Sequence, residues 1–352
     1  MKQTDPLLRD IYKYIEENIR AKKPGNDPNA SLRVDFLNYD YQHAFKSLED
    51  KVIKKHWLEA ENIMSKYHIR DRDYFVQIIA PLAFGDFVNE TNRSFENLEK
   101  LLKDIEEVKS IIFIGTGTSL EAELGWILVK TCLYSCLNGV CTHEQVDREY
   151  DTDGRGGGLW KRLESEERIE AFKNLFSKQA KGKDAQKIHG YLREFIKKGK
   201  VEHLVCFNWD NLIEREQNFN VNIYGGSVNN TGGGTIWKPC GCVTRTDLPW
   251  VFPHKEEEVT EILNRWFVKH VDRSQPRVVI VMGYSGRGNP KFTKNYLHSI
   301  LGNIHIYDVR PEPIENDDAV LGDFFIGLGA TFVFKQIFKK LGYGEVRATK
   351  FE

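Results

Sequence analysis

Three features of the sequence predict an α/β fold, an open and mostly parallel sheet of the Rossmann type preceded by a helical N-terminal region. First, four short, apolar, β-rich runs follow one another at Ile111–Ile114, Leu204–Phe207, Val278–Met282 and Ile304–Tyr307. Continuous apolar strands of this kind are buried on both faces, as in a parallel sheet covered by helices. Second, helical stretches separate the runs, which is the grammar of βαβ units. Third, polar or glycine-containing segments follow the runs, and ligands of such folds bind outside the carboxyl ends of the strands.

Residues 1–107 read as a separate helical cap or partner-binding region. Asp5-Pro6 supplies an N-cap and a first-turn proline, after which Leu7, Leu8, Ile11, Ile15 and Ile19 share one face. Lys23 to Pro28 reads as a turn or linker. Further helical pattern ends with Leu98, Leu101, Leu102 and Ile105. Residues 108–352 then form the second unit, with an apolar stretch from Leu124 to Cys141 that suits a buried helix better than a bilayer span, because Lys130 and Asn138 interrupt it. Asp151–Gly158 reads as a flexible loop. Residues 161–200 carry twelve basic and six acidic side chains, read as a solvated helical pair, with a nucleic-acid or acidic-partner face as the alternative.

Composition narrows the function classes. The 352 residues are 41% hydrophobic and 29% charged, enough apolar content for a substantial core. Lys plus Arg is 50 and Asp plus Glu is 51, a net charge of -1 that disfavours direct nucleic-acid or membrane-surface binding. No signal-peptide core opens the chain. Six irregularly spaced cysteines do not make a disulfide framework, so a cytoplasmic, reducing compartment is expected.

The strand ends carry the chemistry. After the first run comes Gly115-Thr116-Gly117-Thr118-Ser119, where two glycines allow a tight turn and Thr118 with Glu121 fits a capping box. A helix starting there would aim free N–H groups and its positive end at a phosphate; a purely structural turn is the alternative. The second run leads into Asn208-Trp209-Asp210, read either as N-caps of a following helix or as an amide and a carboxylate reaching for a polar ligand. The third ends in Gly283-Tyr284-Ser285-Gly286. Asp308 follows the fourth, where an acid could accept bonds from ribose hydroxyls. Four such segments on one sheet edge favour a nucleotide site. Trp209, Trp237 and Tyr224 read as core aromatics, with ring stacking on a ligand as the alternative.

With these motifs in place the sequence resembles the sirtuin-like NAD-consuming family, and more closely its bacterial branch in antiphage defence. The resemblance rests on Gly115 to Ser119 with Ala122 and Trp126, on Phe207-Asn208-Trp209-Asp210-Asn211-Leu212-Ile213-Glu214, and on Lys238-Pro239-Cys240-Gly241. Val281 to Ser285, Ile306-Tyr307-Asp308 and Gly322 to Ile326 complete it, across residues 108–341. It implies NAD or ADP-ribose as ligand and hydrolysis of NAD to nicotinamide and ADP-ribose. It also implies that Gly115, Gly117 and Ser119 take the phosphates and Asn208 the nicotinamide-side ribose and the nucleophile. Asp210 would hold that site in shape, Gly283 and Ser285 would line the adenosine side, and Asp308 would lie near the adenine ribose. A homo-oligomer is expected, with a protein partner engaged through the N-terminal region.

One departure matters. The family has histidine-glycine where this chain reads Cys240-Gly241, and a thiol with a pKa of roughly 8.5 is a poorer general base near neutral pH than an imidazole. Cys240 therefore stands as a catalytic candidate on position alone, with His189 and His254 as substitutes, and a non-catalytic NAD or ADP-ribose sensor as the alternative function. The two Cys-x-x-Cys pairs of deacylating sirtuins are absent, so no metal is expected.

Overall fold

The computed structural model of the chain describes residue 17 and residues 80–119, 122–124, 126–153, 157–163, 165–215, 217–228, 234–255, 257–284, 291–310 and 321–346. The expectations for Asp5–Ile19, apart from a helical Glu17, and for the turn at 23–28 lie outside those residues. So do Ser285, Glu121 and the middle of the 151–158 segment.

Seven strands form one sheet in the order β3-β4-β2-β1-β5-β6-β7. They are β1 Ser110–Ile114, β2 Val201–Cys206, β3 Val221–Ile223, β4 Thr235–Lys238, β5 Arg277–Met282, β6 Ile304–Val309 and β7 Phe324–Ile326. Every pairing is parallel, with β1 at the centre between β2 and β5. The predicted open α/β class is the one observed. Both central partners of β1 are registered along its length, Ile112 against Leu204 on one side and Ile280 on the other.

Nine helices accompany the sheet among the described residues: α1 Ala80–Glu107, α2 Trp126–Cys136, α3 His143–Asp153, α4 Gly157–Arg162, α5 Glu166–Lys181, α6 Lys187–Lys197, α7 Glu258–His270, α8 Lys294–Leu301 and α9 Ala330–Lys340. Strand alternation sorts them into layers. Ile112, Ile114, Leu204, Val278 and Ile280 point to one face and pack with side chains of α1, α6 and α9. Ile111, Phe113, Val205, Val279 and Val281 point to the other and pack with α7 and α8. A third cluster, built from α2 to α5 with Leu212, Cys242, Trp250 and Phe252, forms a helical lobe inserted between β1 and β2. None of the described helices is long and apolar enough to cross a membrane.

Three differences from the sequence expectation have physical reasons. The apolar stripe of α1 (Phe95, Leu98, Leu101 and Ile105) lies wholly inside the main core, although this helix precedes the expected boundary at 107. Polar contacts tie it down too: Asn97 donates to the Phe325 carbonyl at 2.7 Å, and Ser94 Oγ accepts from Gly327 N at 2.8 Å. An amphipathic pattern announces a buried stripe but not the surface that covers it. The charged 161–200 stretch does form a helix pair, yet Lys173 and Arg193 are buried. Lys173 reaches the carbonyls of Thr246 and Leu248, and Arg193 that of Leu212 at 2.8 Å. Among the described residues no full helix follows β2: 212–215 form a turn, with Asp210 Oδ1 accepting from Leu212 N at 3.1 Å in the manner of an N-cap and Arg215 N donating to the Asn211 carbonyl at 2.9 Å.

Truncating Leu101 to Ala is expected to cost about 2–5 kcal/mol in urea unfolding, as for a fully buried leucine. A loss under 1 kcal/mol would place α1 outside the core.

Candidate functional site

The connection from β1 to β2 lays α6 against one face of the sheet, and the connection from β5 to β6 lays α8 against the other. The segments leaving β1 and β5 therefore diverge, which makes the gap between their carboxyl ends the topological switch point of the sheet. Here the two segments touch backbone to backbone. Gly115 N donates to the Met282 carbonyl at 3.0 Å, and Gly117 N donates to the Gly283 carbonyl at 2.9 Å. A Cβ on Gly115 would sit 2.5 Å from the Gly283 oxygen, and one on Gly117 would sit 2.7 Å from Gly283 Cα. Gly283 itself has φ +60°, with Thr118 N 2.6 Å from where a Cβ would be. Glycine is required at these positions by the contact of the segments with each other.

The predicted helix start at Thr118 is not what forms. Thr116–Ser119 is a single 3₁₀ turn, and the next helix, α2, begins at Trp126. Thr118 Oγ1 turns back to the Gly115 carbonyl at 2.8 Å. With Thr118 N bonded to Gly115 O and Gly117 N to Gly283 O, those amides are committed inside the protein. Among the described residues these two amides are therefore not free to cradle a phosphate.

What the turn does is receive Asn208. Asn208 Nδ2 donates to Gly115 O at 3.0 Å, to Ser119 Oγ at 2.9 Å and to Thr118 Oγ1 at 3.3 Å. Ser119 Oγ in turn donates to Asp210 Oδ2 at 2.9 Å. The polarity of this chain follows from the chemistry of its ends. An ionised carboxylate accepts only, so the Ser119 hydroxyl must give its proton to Asp210 and use a lone pair for the Asn208 amide. The Gly115 carbonyl also accepts only. The Asn208 NH2 group is thus fixed inward, and Asn208 Oδ1 is left buried without a hydrogen-bond partner. An unpartnered buried acceptor costs about 1–3 kcal/mol unless a ligand or water meets it. Thr118, Ser119, Asn208 and Asp210 are all buried, and β1, the 116–119 turn and the end of β2 place them together.

A second polar cluster lies behind Asp210. Lys238, the last residue of β4, is fully buried. Its Nζ pairs with Glu214 Oε1 at 3.3 Å, meets Cys206 Sγ at 3.4 Å and donates to the Asp210 carbonyl. Burial works against the ammonium, but the surrounding negative charge, the Glu214 carboxylate above all, outweighs it and holds Lys238 protonated. Burial pushes the Cys206 thiol up to about 12 and that of Cys242 to about 11. Lys238 was legible only as part of a motif; its partners 24 to 32 residues away left no local trace in the sequence.

The other candidate residues fall differently. Cys240 is buried in the apolar cluster of Phe207, Trp237, Val251 and Tyr284. Asp308 lies inside β6 rather than beyond it. Its Oδ2 accepts from Leu321 N at 3.0 Å and pairs with Arg310 at 2.9 Å, while Oδ1 is buried without a partner. Burial raises its pKa against the pull of Arg310. Trp237 is fully buried in the core, and the partly buried Trp209 packs against it, stacked on Trp250 with centroids 5.2 Å apart. His189 is buried on α6, where Nδ1 accepts from Gln186 N at 3.0 Å and leaves a buried, unpartnered Nε2. His254 lies on the 3₁₀ turn Pro253–Lys255. Among the described residues no group of three or more His, Cys, Asp or Glu side chains could hold a metal. A groove of about 460 Å³ runs elsewhere, between α6 and the segment after α9, with Arg193, Lys197 and Tyr343 among its lining.

Comparison with solved structures finds Sir2 proteins. One described under the mechanism and regulation of Sir2 enzymes is 16% identical, covers 70% of this chain and 97% of its own, and has a TM-score of 0.43. A Sir2 homologue in complex with NAD is 17% identical over 69% of this chain and 93% of its own, with a TM-score of 0.38. Sir2 in complex with an inhibitor, 2'-O-acetyl-ADP-ribose and a deacetylated peptide is 10% identical over 70% and 100%, with a TM-score of 0.39. No protein-family model and no curated protein matches the chain.

The buried histidines set an acid limb of stability. Burial lowers both His189 and His203 to about 4, from an ordinary 6.5. Between those values the unfolded chain takes up protons that the folded chain refuses. Stability therefore falls as pH drops from 6.5 towards 4, by up to about 1.4 kcal/mol per pH unit for each histidine. Replacing His189 by Gln should make this limb shallower by close to one proton in urea melts at several pH values. An unchanged slope would show that His189 is not buried neutral.

Proposed function

We propose that the chain binds NAD at the joined ends of β1, β2 and β5 and hydrolyses its nicotinamide–ribose bond, releasing nicotinamide and ADP-ribose. The observation that carries this reading is Asn208 Oδ1, a buried acceptor whose direction the Ser119–Asp210 relay fixes and which no protein group meets. In the reaction the C1'–N bond breaks with its electron pair leaving on nicotinamide, a neutral leaving group that needs no acid. Positive charge develops on the ribose, water adds at C1' and a proton is released. Asn208 Oδ1 accepts a hydrogen bond from that water or from a ribose hydroxyl, and its outward partial negative charge favours the cationic transition state. Asp210 holds its orientation through Ser119.

The glycine contact of Gly115, Gly117 and Gly283 brings backbone close to the ligand's phosphates and adenosine side; the proposed roles of Ser285 and Asp308 are on the adenosine side and at the adenine ribose. The Ser119 hydroxyl is committed to Asp210, so Ser119 contributes to phosphate binding through its backbone. The residues before α1 are the proposed partner-binding region, and defence by NAD depletion is the proposed setting.

A second reading, an NAD or ADP-ribose sensor without turnover, is favoured by Cys240. A buried thiol in an apolar cluster is a poor base, and loss of a general base costs on the order of 10²–10⁴ in rate. Incubating the purified chain with NAD and following nicotinamide decides between them. Slow release, reduced about 100-fold or more by Asn208→Ala and raised by Cys240→His, supports hydrolysis. Binding of NAD by calorimetry with no release supports the sensor, and absence of both binding and release overturns both readings.

A further inference from the structure

The geometry points to Lys238 as a positioning residue for Asn208, a buried cationic tether that fixes the segment on which this side chain is carried. The inference rests on Asn208 as the group that faces the ligand. Residues 207–211 form neither helix nor strand; Phe207 N donates to the Ile114 carbonyl at 3.0 Å and the Trp209 carbonyl accepts from Val243 N at 2.8 Å, and neither bond reaches Asp210. Lys238 Nζ gathers three acceptors from residues 206–214: Cys206 Sγ at the start, the Asp210 carbonyl in the middle and Glu214 Oε1 at the end. One ammonium thereby fastens both ends of the segment that carries Asn208. Its own backbone is fixed in turn, since the Lys238 carbonyl accepts from Tyr224 N at 3.1 Å and from Gly241 N at 3.3 Å.

Fold stability alone gives little reason for such a group. Replacing a buried ion pair by apolar side chains of similar volume is often neutral or stabilising. A residue that only filled space between β2 and β4 would do as well without charge. What an apolar side chain could not do is donate to the Asp210 carbonyl. With that bond lost, the backbone that carries Asp210 is held less firmly, so the acceptor of Ser119, and with it the direction of the Asn208 amide, is less sharply defined.

The test is the full chain carrying both Lys238→Met and Glu214→Leu, which removes the ion pair together and leaves the Asp210 carboxylate with its hydrogen bonds from Ser119 Oγ and Leu212 N. Thermal melting is expected to stay close to that of the parent. Amide hydrogen exchange across 207–215 in the ligand-free protein is expected to rise about tenfold or more, with 277–282 in β5 unchanged. Where the parent turns NAD over, kcat should fall about 100-fold with KM altered less than threefold, since the loss is in orientation rather than in binding. A folded double variant with parental exchange at 207–215 overturns the role of Lys238. If the double variant does not fold, Lys238→Met with Glu214→Gln, which keeps a neutral hydrogen-bonding amide, is read in its place. A tenfold rise confined to 207–215 upholds the tether, and parental exchange there overturns it. Absence of turnover in the parent counts against the hydrolase alone, because the exchange measurement needs no substrate.

Discussion

The contact between the segments leaving β1 and β5 is the constraint on which the rest of this molecule depends. Two central parallel strands send their chains to opposite faces, yet the first residues beyond each strand press together with carbonyl and amide in direct contact. Only residues without Cβ atoms can approach so closely, and Gly283 must also hold a left-handed backbone. This contact sets where Gly115 and the 116–119 turn lie, and together they supply the three acceptors that receive the Asn208 amide. The glycines thus act first on the protein, by building the platform, and only through it on whatever binds above.

Orientation is the second theme. An asparagine presents an acceptor on one side and donors on the other, and the two differ little in shape. Here the ambiguity is removed by acceptor-only groups, the Gly115 carbonyl and, through Ser119, the Asp210 carboxylate. A neutral amide gains a defined electrostatic direction from a charge it does not touch. The buried cation beyond Asp210 extends the same logic, because it places the backbone that carries the carboxylate.

Much of the fold was legible in the sequence. The strands β1, β2, β5 and β6 stand out because burial on both faces demands continuous apolar residues. The short β3, β4 and β7 do not, since Asn222 and Lys238 interrupt their apolar pattern and β3 and β7 lie at the sheet's edges. Residues such as Asp210 and Thr118 have the same letters whether they cap a helix or close a local turn, so the two helices expected directly after β1 and β2 were misplaced. Asn208 was legible through its motif, but the relay that orients it was not. Ser119 and Asp210 lie 91 positions apart, and nothing local records their meeting.

The helical lobe between β1 and β2 has a consequence for biogenesis. β1 is made early, yet its neighbour β2 follows only after α2 to α6, and its other neighbour β5 later still. Contacts this distant in the chain close slowly during folding. A nascent polypeptide that has emerged as far as β4 already contains Asn208, Asp210 and Lys238 but lacks Gly283, the piece against which the 115–117 backbone is seated. The platform is therefore incomplete until the ribosome has passed β5, and a chain released before that point carries Asn208, Asp210 and Lys238 without the backbone contact that seats the turn.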